Sequence, residues 1–501
     1  MLLLAAAPVW AQPDPPADIE ITGEVRDDGF GRAVAAAGDV NGDGCTDYLA
    51  GADGDDDIGL GSGEAYLFNG PLTHDIGARK ADATVTGEAE LDGLGGALST
   101  AGDVNGDGFD DVLVGAWMAD LVGQAFLFLG PLNGELAEAD ADAAFTGEIF
   151  SEELGDAVAA ADLNDDGVPD LILGAPRPPL DGEGPGSVYV FFGPVVGSFL
   201  ASEADVILTG EQHNDEFGTA LGAGDVNGDG AEDLIVGAQQ LFKHASGEAY
   251  LFYGPLSGAI SASNADAILV GEKSSQDDVD LFGQAVASAG DTNGDDVDDV
   301  LVGALTNYAG GTRGGRMYLF HGPLSGLIQA ADADRTLTGS TFDELGTSVA
   351  PAGDANGDFL ADLFTGAPQF FGTNGLGYGA LFYGEGVPPT GLQIVVTPIH
   401  PPIVIPPGGG RVRFLVEIVN RSDVAIDFDF WTELEVPGGG LRTSSPQPLT
   451  LEGGASLTFK AHRRIRAQAP PGTYTLRGLA GAFPVADDSD TFTFVKQPDP
   501  A

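Results

Sequence analysis

The sequence predicts an all-β protein, a six-bladed β-propeller with a seven-bladed ring as the alternative, followed by a small β-sandwich. Three observations carry this. One unit is written six times; an Asp-rich loop recurs within it in fixed phase; and the runs between Gly, Pro and Asp have strand length and no useful helical periodicity. The Asp-rich loops begin at Asp39, Asp103, Asp162, Asp225, Asp291 and Asp354, so the spacings are 64, 59, 63, 66 and 63 residues, room for four strands with loops.

In the first unit the expected strands are Arg32–Ala37, Tyr48–Ala52, Glu64–Asn69 and Ala83–Thr86. The first of these is Ala, Val and Gly in nearly every unit, as an innermost strand requires where sheets converge. Later strands such as Asp111-Val-Leu-Val-Gly-Ala116 are apolar on both faces, as in sheets stacked face to face. The chain enters with an outer strand, Asp18–Glu24, and leaves after a third strand, Tyr378–Tyr383. Pairing these two segments is the expected closure, since a closed ring has no open edges.

The six loops share Asp, Asn, Asp and Asp at positions 1, 3, 5 and 9. They are Asp39, Asn41, Asp43 and Asp47; Asp103, Asn105, Asp107 and Asp111; Asp162, Asn164, Asp166 and Asp170; Asp225, Asn227, Asp229 and Asp233; Asp291, Asn293, Asp295 and Asp299; and Asp354, Asn356, Asp358 and Asp362. Alternate side chains of a tight turn converge. Position 7 (Cys45, Phe109, Val168, Ala231, Val297 and Leu360) adds a backbone carbonyl, completing an all-oxygen cage of the kind Ca²⁺ prefers. Up to six Ca²⁺ are expected. Asx-rich turns also form without metal, but six in one phase favour ligation. Position 12 is Ala50, Val114, Leu173, Val236, Val302 and Thr365, which excludes the bidentate Glu of an EF-hand. Position 6 is Gly in loops one to four, where a positive φ is expected, but Asp296 in loop five and Phe359 in loop six. Loop six is therefore expected to empty first.

The net charge is −57, from 77 acidic and 20 basic residues, which would repel nucleic acid and anionic membrane surfaces and excludes DNA and RNA as partners. The acid is concentrated in residues 1–390, with 66 Asp and Glu against 10 Lys and Arg, while residues 391–501 hold 11 against 10. That step marks a domain boundary. Residues 1–11, ending Val9-Trp10-Ala11, read as a signal peptide too short to span a bilayer. Cys45 is the single cysteine, so no disulfide framework exists.

The Phe-Gly pairs (Phe30-Gly31, Phe217-Gly218, Phe282-Gly283) and the Gly-Ala-Pro triplets (Gly174-Ala175-Pro176, Gly366-Ala367-Pro368) bracket each Asp loop. Together these markers resemble the FG-GAP repeats of the integrin α-subunit propeller, over residues 18–386. The resemblance implies Ca²⁺ between the first and second strands of a blade, a secreted or cell-surface location, and a role in adhesion or in recognition of an extracellular protein or glycan. A carbohydrate-binding propeller and a structural envelope or matrix component are the alternatives. The expected partner-binding face is the one away from the Asp loops, with Trp117-Met118, Leu241–His244, Arg313, Arg316 and Gln369–Phe371 as anchors.

Residues 387–391 form a Pro/Gly linker, and 392–496 alternate as an immunoglobulin-like sandwich with Trp431 as a core aromatic. Arg463-Arg464 reads as an acid-binding patch or, more simply, an exposed strand end. The six His are scattered, and no zinc-protease, nucleophile-elbow or phosphate-loop motif occurs. From this the chain is expected to be no enzyme, to have no transmembrane segment, and to be monomeric.

Overall fold

The computed structural model of the chain describes residues 21–382 and 392–497, apart from 25–27, 57, 73–74, 178–183, 241–245, 274–278, 354–359, 368–377, 400–402, 408–409, 421–424, 438–440, 452–454, 467 and 482–487. The chain divides into two compact units that change over between Gly384 and Glu385. The signal-peptide and linker segments lie outside the described residues.

Among the described residues the first unit is a succession of six sheets with one two-stranded sheet, Ile21–Thr22 on Ile76–Gly77, in addition. Sheet one runs from its inner strand, Val34–Gly38, through Asp47–Ala52 and Glu64–Phe68 to Ala83–Thr86, all antiparallel. A fifth strand then joins from the next repeat, because Gly134–Ala137 pairs in parallel with Ala83–Thr86. The same parallel clasp attaches Gly197–Leu200 to Ala143–Thr146, Gly258–Ser261 to Val206–Thr209, and Gly326–Gln329 to Ala267–Val270. Each clasp leads into a short 3-10 turn and then an Asp. These carboxylates, Asp82, Asp142, Asp205, Asp266 and Asp334, accept the backbone N–H of Asn69, Leu129, Phe192, Tyr253 and His321 at 2.8–2.9 Å.

Apolar residues on both faces of the middle strands place the core between sheets. Leu49, Leu67 and Val85 of sheet one pack with Val112, Val114, Phe126 and Phe128 of sheet two, and equivalent layers follow between each later pair. The two glycines that flank the repeat meet at these interfaces. A Cβ on Gly115 would stand 2.1 Å from the carbonyl oxygen of Gly155, and one on Gly237 2.0 Å from that of Gly283. Gly155 and Gly283 themselves hold φ of 85°. Neighbouring backbones therefore touch where only glycine leaves room. The aromatic beside the second glycine is fixed edge-on against a third-strand Tyr, at 5.4 Å for Phe217–Tyr250 and 5.2 Å for Phe282–Tyr318.

The expected closure is not formed among the described residues. Ile21–Thr22 pairs with Ile76–Gly77, and the last third strand, Tyr378–Phe382, pairs with Asp362–Ala367. Val34 and Tyr48 at one end of the succession, and Phe364 and Leu381 at the other, remain 40–70% exposed. Ile21–Thr22 and Ile76–Gly77 form a two-stranded sheet of their own, in which Ile76–Gly77 pairs in parallel as Gly134–Ala137 does with Ala83–Thr86, a clasp the sequence reading did not include.

The second unit is built of two sheets. One has three strands, Leu392–Pro398, Gly410–Asn420 and Ser456–Ile465. The other orders Val404–Ile405, Asp488–Lys496, Gly472–Gly481, Ile426–Glu435 and Leu441–Thr443, with Gln447–Leu451 also on Ile426–Glu435. Alternating side chains of both sheets, among them Val412, Phe414, Leu434, Tyr474 and Phe494, form one core. Trp431 is buried as expected.

Candidate functional site

Each Asp loop connects an inner strand to the second strand of its sheet, and loops one to five are described in whole or in part. In loop one Asp39 accepts the N–H of Asp43 and Gly44 at 2.9 and 2.8 Å. Asn41 Oδ1 accepts the same Asp43 N–H, and Asp43 Oδ1 accepts the N–H of Cys45, both at 2.9 Å. The turn is wound tightly by its own acceptors. It requires positive φ twice, at positions 4 and 6: Gly42 and Gly44, Gly106 and Gly108, Asp165 and Gly167, Gly228 and Gly230, Gly294 and Asp296. Position 6 was expected from the sequence; position 4 was not. Phe359, Asp354, Asn356 and Asp358 of loop six lie outside the described residues, whereas Leu360 and Asp362 are buried.

Position 9 differs from the rest. Asp47, Asp111, Asp170, Asp233, Asp299 and Asp362 are fully buried at the start of the second strand. Asp111 accepts the N–H of Val104 at 3.0 Å and of Gly130 at 2.8 Å, and Asp47, Asp170, Asp233 and Asp299 make the equivalent bonds. Burial pushes the carboxyls of Asp111, Asp170 and Asp233 up to about 6, against the pull of those backbone donors. Burial also raises Asp47 and Asp299.

Among the described residues no three His, Cys, Asp or Glu side chains stand arranged as a formed metal cluster. The donor chemistry nevertheless fits a hard divalent cation. In loop three the buried Oδ1 of Asn164 has no hydrogen-bond partner, although it stands in the turn of Asp162, Asp166 and Asp170. An orphaned buried acceptor among three carboxylates needs a positive partner. In loops one, two and four the same Asn oxygen accepts a backbone N–H instead.

Position 8 carries a link the sequence did not suggest. The N–H of Asp39 donates to Asp110 Oδ2 of the next loop at 2.6 Å, and Asp110 N–H returns to the Asp39 carbonyl at 3.1 Å. Asp162 N–H reaches Glu232 in the same way, at 2.6 Å. These bonds tie loop to loop across sheets.

The opposite ends of the sheets carry the Phe-Gly turns and the loops between second and third strands. Here Ile58, Leu60, Leu91, Leu121, Ile149 and Phe150 are each 47–65% exposed. Main-chain bonds join them into a row: Leu91 N–H to Leu60 O at 2.8 Å, Met118 N–H to Asp92 O at 3.1 Å, and Ser151 N–H to Leu121 O at 2.7 Å. Of the anchors expected from sequence, Trp117-Met118 and Arg313 lie in these same loops and Arg316 begins a third strand. Trp117 is half-buried against Gly93 and Gly96. Arg313 is paired with Glu344 at 2.9 Å, and Arg316 with Glu272 at 3.2 Å beside the Tyr318 ring. Leu241–His244 and Gln369–Phe371 lie outside the described residues.

Four segments, 94–126, 154–191, 217–252 and 345–382, match the FG-GAP repeat family. Together with the stacked four-stranded sheets and their relatives, these repeats support an integrin-α-like FG-GAP propeller. Among the relatives, integrin alpha pat-2 of Caenorhabditis briggsae is 29% identical over 51% of this chain and 22% of its own. Integrin alpha-5 of Xenopus laevis is 32% identical over 32% of this chain and 15% of its own. Phosphatidylinositol-glycan-specific phospholipase D of Homo sapiens is 36% identical over 34% of this chain and 20% of its own. The chain thus spans about a fifth of the length of these relatives. The last of them corrects one expectation. A reading of the chain as no enzyme does not stand when an enzyme is among its relatives, for the shared region is mainly the repeat, and the repeat occurs on both sides of that division.

Proposed function

We propose that this chain is a secreted, Ca²⁺-binding recognition protein that engages an extracellular partner, in adhesion or ligand capture, through the row of exposed apolar residues on the Phe-Gly side of its sheets. The observation that carries the reading is the union of integrin-α-like FG-GAP repeats with that row from Leu60 to Phe150. Half-exposed Leu, Ile and Phe side chains held on rigid turns are suited to the desolvated centre of an interface, and the surrounding carboxylates to its polar rim. The Asp loops, at the other ends of the strands, hold up to six Ca²⁺ through positions 1, 3, 5, 7 and 9 and brace the sheets from below. The second unit is an immunoglobulin-like module.

The test is direct. Leu91→Ser with Phe150→Ser is expected to abolish binding to a partner selected from a panel of extracellular domains, measured by surface plasmon resonance in 1 mM Ca²⁺, while leaving the melting temperature unchanged. Undiminished binding of the double variant would overturn the assignment of the face.

A further inference from the structure

Residues 391–501 hold half of the basic residues of a strongly acidic chain, and strand alternation sorts them. On Gly410–Asn420, Arg411 and Arg413 point away from the core while Val412 and Phe414 point into it. On Ser456–Ile465, Lys460, His462 and Arg464 are exposed. The register sets these side chains directly opposite one another, Arg411 against Arg464, Arg413 against His462, and Leu415 against Lys460. Arg463 departs from its neighbour, turning to Thr432 Oγ1 at 3.1 Å and the Arg442 carbonyl at 2.8 Å. The Arg463-Arg464 pair of the sequence is therefore one structural residue and one member of a face that holds Arg411, Arg413, Lys460 and Arg464 with His462 among them.

That arrangement opposes stability. Residues directly opposite in an antiparallel pair have Cβ atoms about 5 Å apart, and like charges there are destabilising. Relief would come from carboxylates, yet among the described residues none of the five is in an ion pair.

We infer that this sheet face is a binding site for a linear anionic polysaccharide, whose sulfate or carboxylate groups supply the missing counter-charge. Cations on one strand repeat roughly every 7 Å, at residues i and i+2, so two parallel rows offer evenly spaced sites to an extended anionic chain. The three guanidiniums present flat forks that match sulfate and carboxylate oxygens in pairs. A narrow polymer can lie along these two strands, whereas an anionic bilayer or a second copy would bring a broad negative surface against a chain of net charge −57.

The test uses the full chain and heparin as the probe, in low salt, by calorimetry. Heparin is expected to bind in 50 mM NaCl. Arg411→Gln with Arg464→Gln should weaken it by about tenfold or more, as the loss of two charge-assisted contacts implies. A matched pair on the other sheet, Arg442→Gln with Arg477→Gln, should bind like the parent. The first double variant should melt at the same temperature as the parent or higher, since it removes a like-charge pair. Absence of binding in 50 mM NaCl, or equal losses in the two double variants, would overturn the proposal. So would tighter binding to vesicles of phosphatidylserine and phosphatidylcholine than to heparin, or self-association of the chain that Arg411→Gln with Arg464→Gln removes.

Discussion

Asp233 does two things that can be separated. It is fully buried and accepts the N–H of Asn227 at 3.1 Å and of Gly254 at 2.9 Å. Replacing it with Ala strands both donors, at a cost of about 3 kcal/mol or more. Asp233→Ala is expected to lower the urea midpoint substantially in Ca²⁺ and, because the backbone bonds are lost regardless of metal, in excess chelator as well. A loss seen only in Ca²⁺ would reduce Asp233 to a ligand alone. Glu138 makes a different case. Burial, reinforced by the charge of Asp92 and opposed by a backbone hydrogen bond from Glu88, pushes its carboxyl up to about 7, and its Oε1 has no hydrogen-bond partner. A carboxyl raised on folding holds its proton more tightly in the folded state, so stability falls as pH rises from the ordinary carboxyl value to about 7. Glu138→Gln should melt with the parent at pH 4 and above it at pH 8, by roughly 1–2 kcal/mol after screening of a half-buried group. Parallel melting curves at both pH values would contradict this. The sequence marks Asp233 as a loop ligand but not as an acceptor for two backbone donors, and Glu138 reads there as one more acid among 77.

At the scale of the element, the parallel clasp ties each of sheets one to four to the repeat that follows it. Phe199 of the clasp strand Gly197–Leu200 rests on Phe145 at 5.5 Å and Phe191 at 5.8 Å, joining the third repeat to the second sheet. Phe199→Ala is expected to cost about 2–3 kcal/mol. Faster amide exchange should appear first in Ala143–Thr146, the strand it holds. Exchange that rises only in the inner strands would mean that the clasp carries little load. The four antiparallel strands of each repeat were legible from apolar runs between turn residues. The clasp was not, because a four-residue strand with two exposed positions, such as Gly134-Glu-Leu-Ala137, gives no periodic signal.

For the molecule as a whole, three carboxylates in each of six loops place 18 negative charges at one end of the sheets. Like charges so placed repel unless cations stand among them, and a ligand that binds only the folded state stabilises it by mass action. Removing Ca²⁺ with excess chelator is expected to lower the melting temperature by 10 °C or more, on the order of a few kcal/mol for a multi-site protein. A melting curve unchanged by chelator at low ionic strength would leave the loops as self-capped turns. Because Asp39–Asp110 and Asp162–Glu232 contacts join loops across sheets, the loss is expected as one cooperative shift, not as separate steps.

The sequence by itself determined the all-β class, the antiparallel strands of the repeats, the phase of the Asp loops and the small inner strands. Each is a local or periodic property, set by the alternation of side chains and by the turn residues between them. Only the tertiary structure decided which glycines touch, why Gly115 and Gly155 must both be glycine, and where the apolar row from Leu60 to Phe150 assembles. It also decided that Ile21–Thr22 pairs with Ile76–Gly77, and that Arg411 and Arg464 share one face. These are pairings between residues 26 to 55 positions apart in the chain. The energy that selects them comes from burial and register across sheets, which no single stretch of sequence contains.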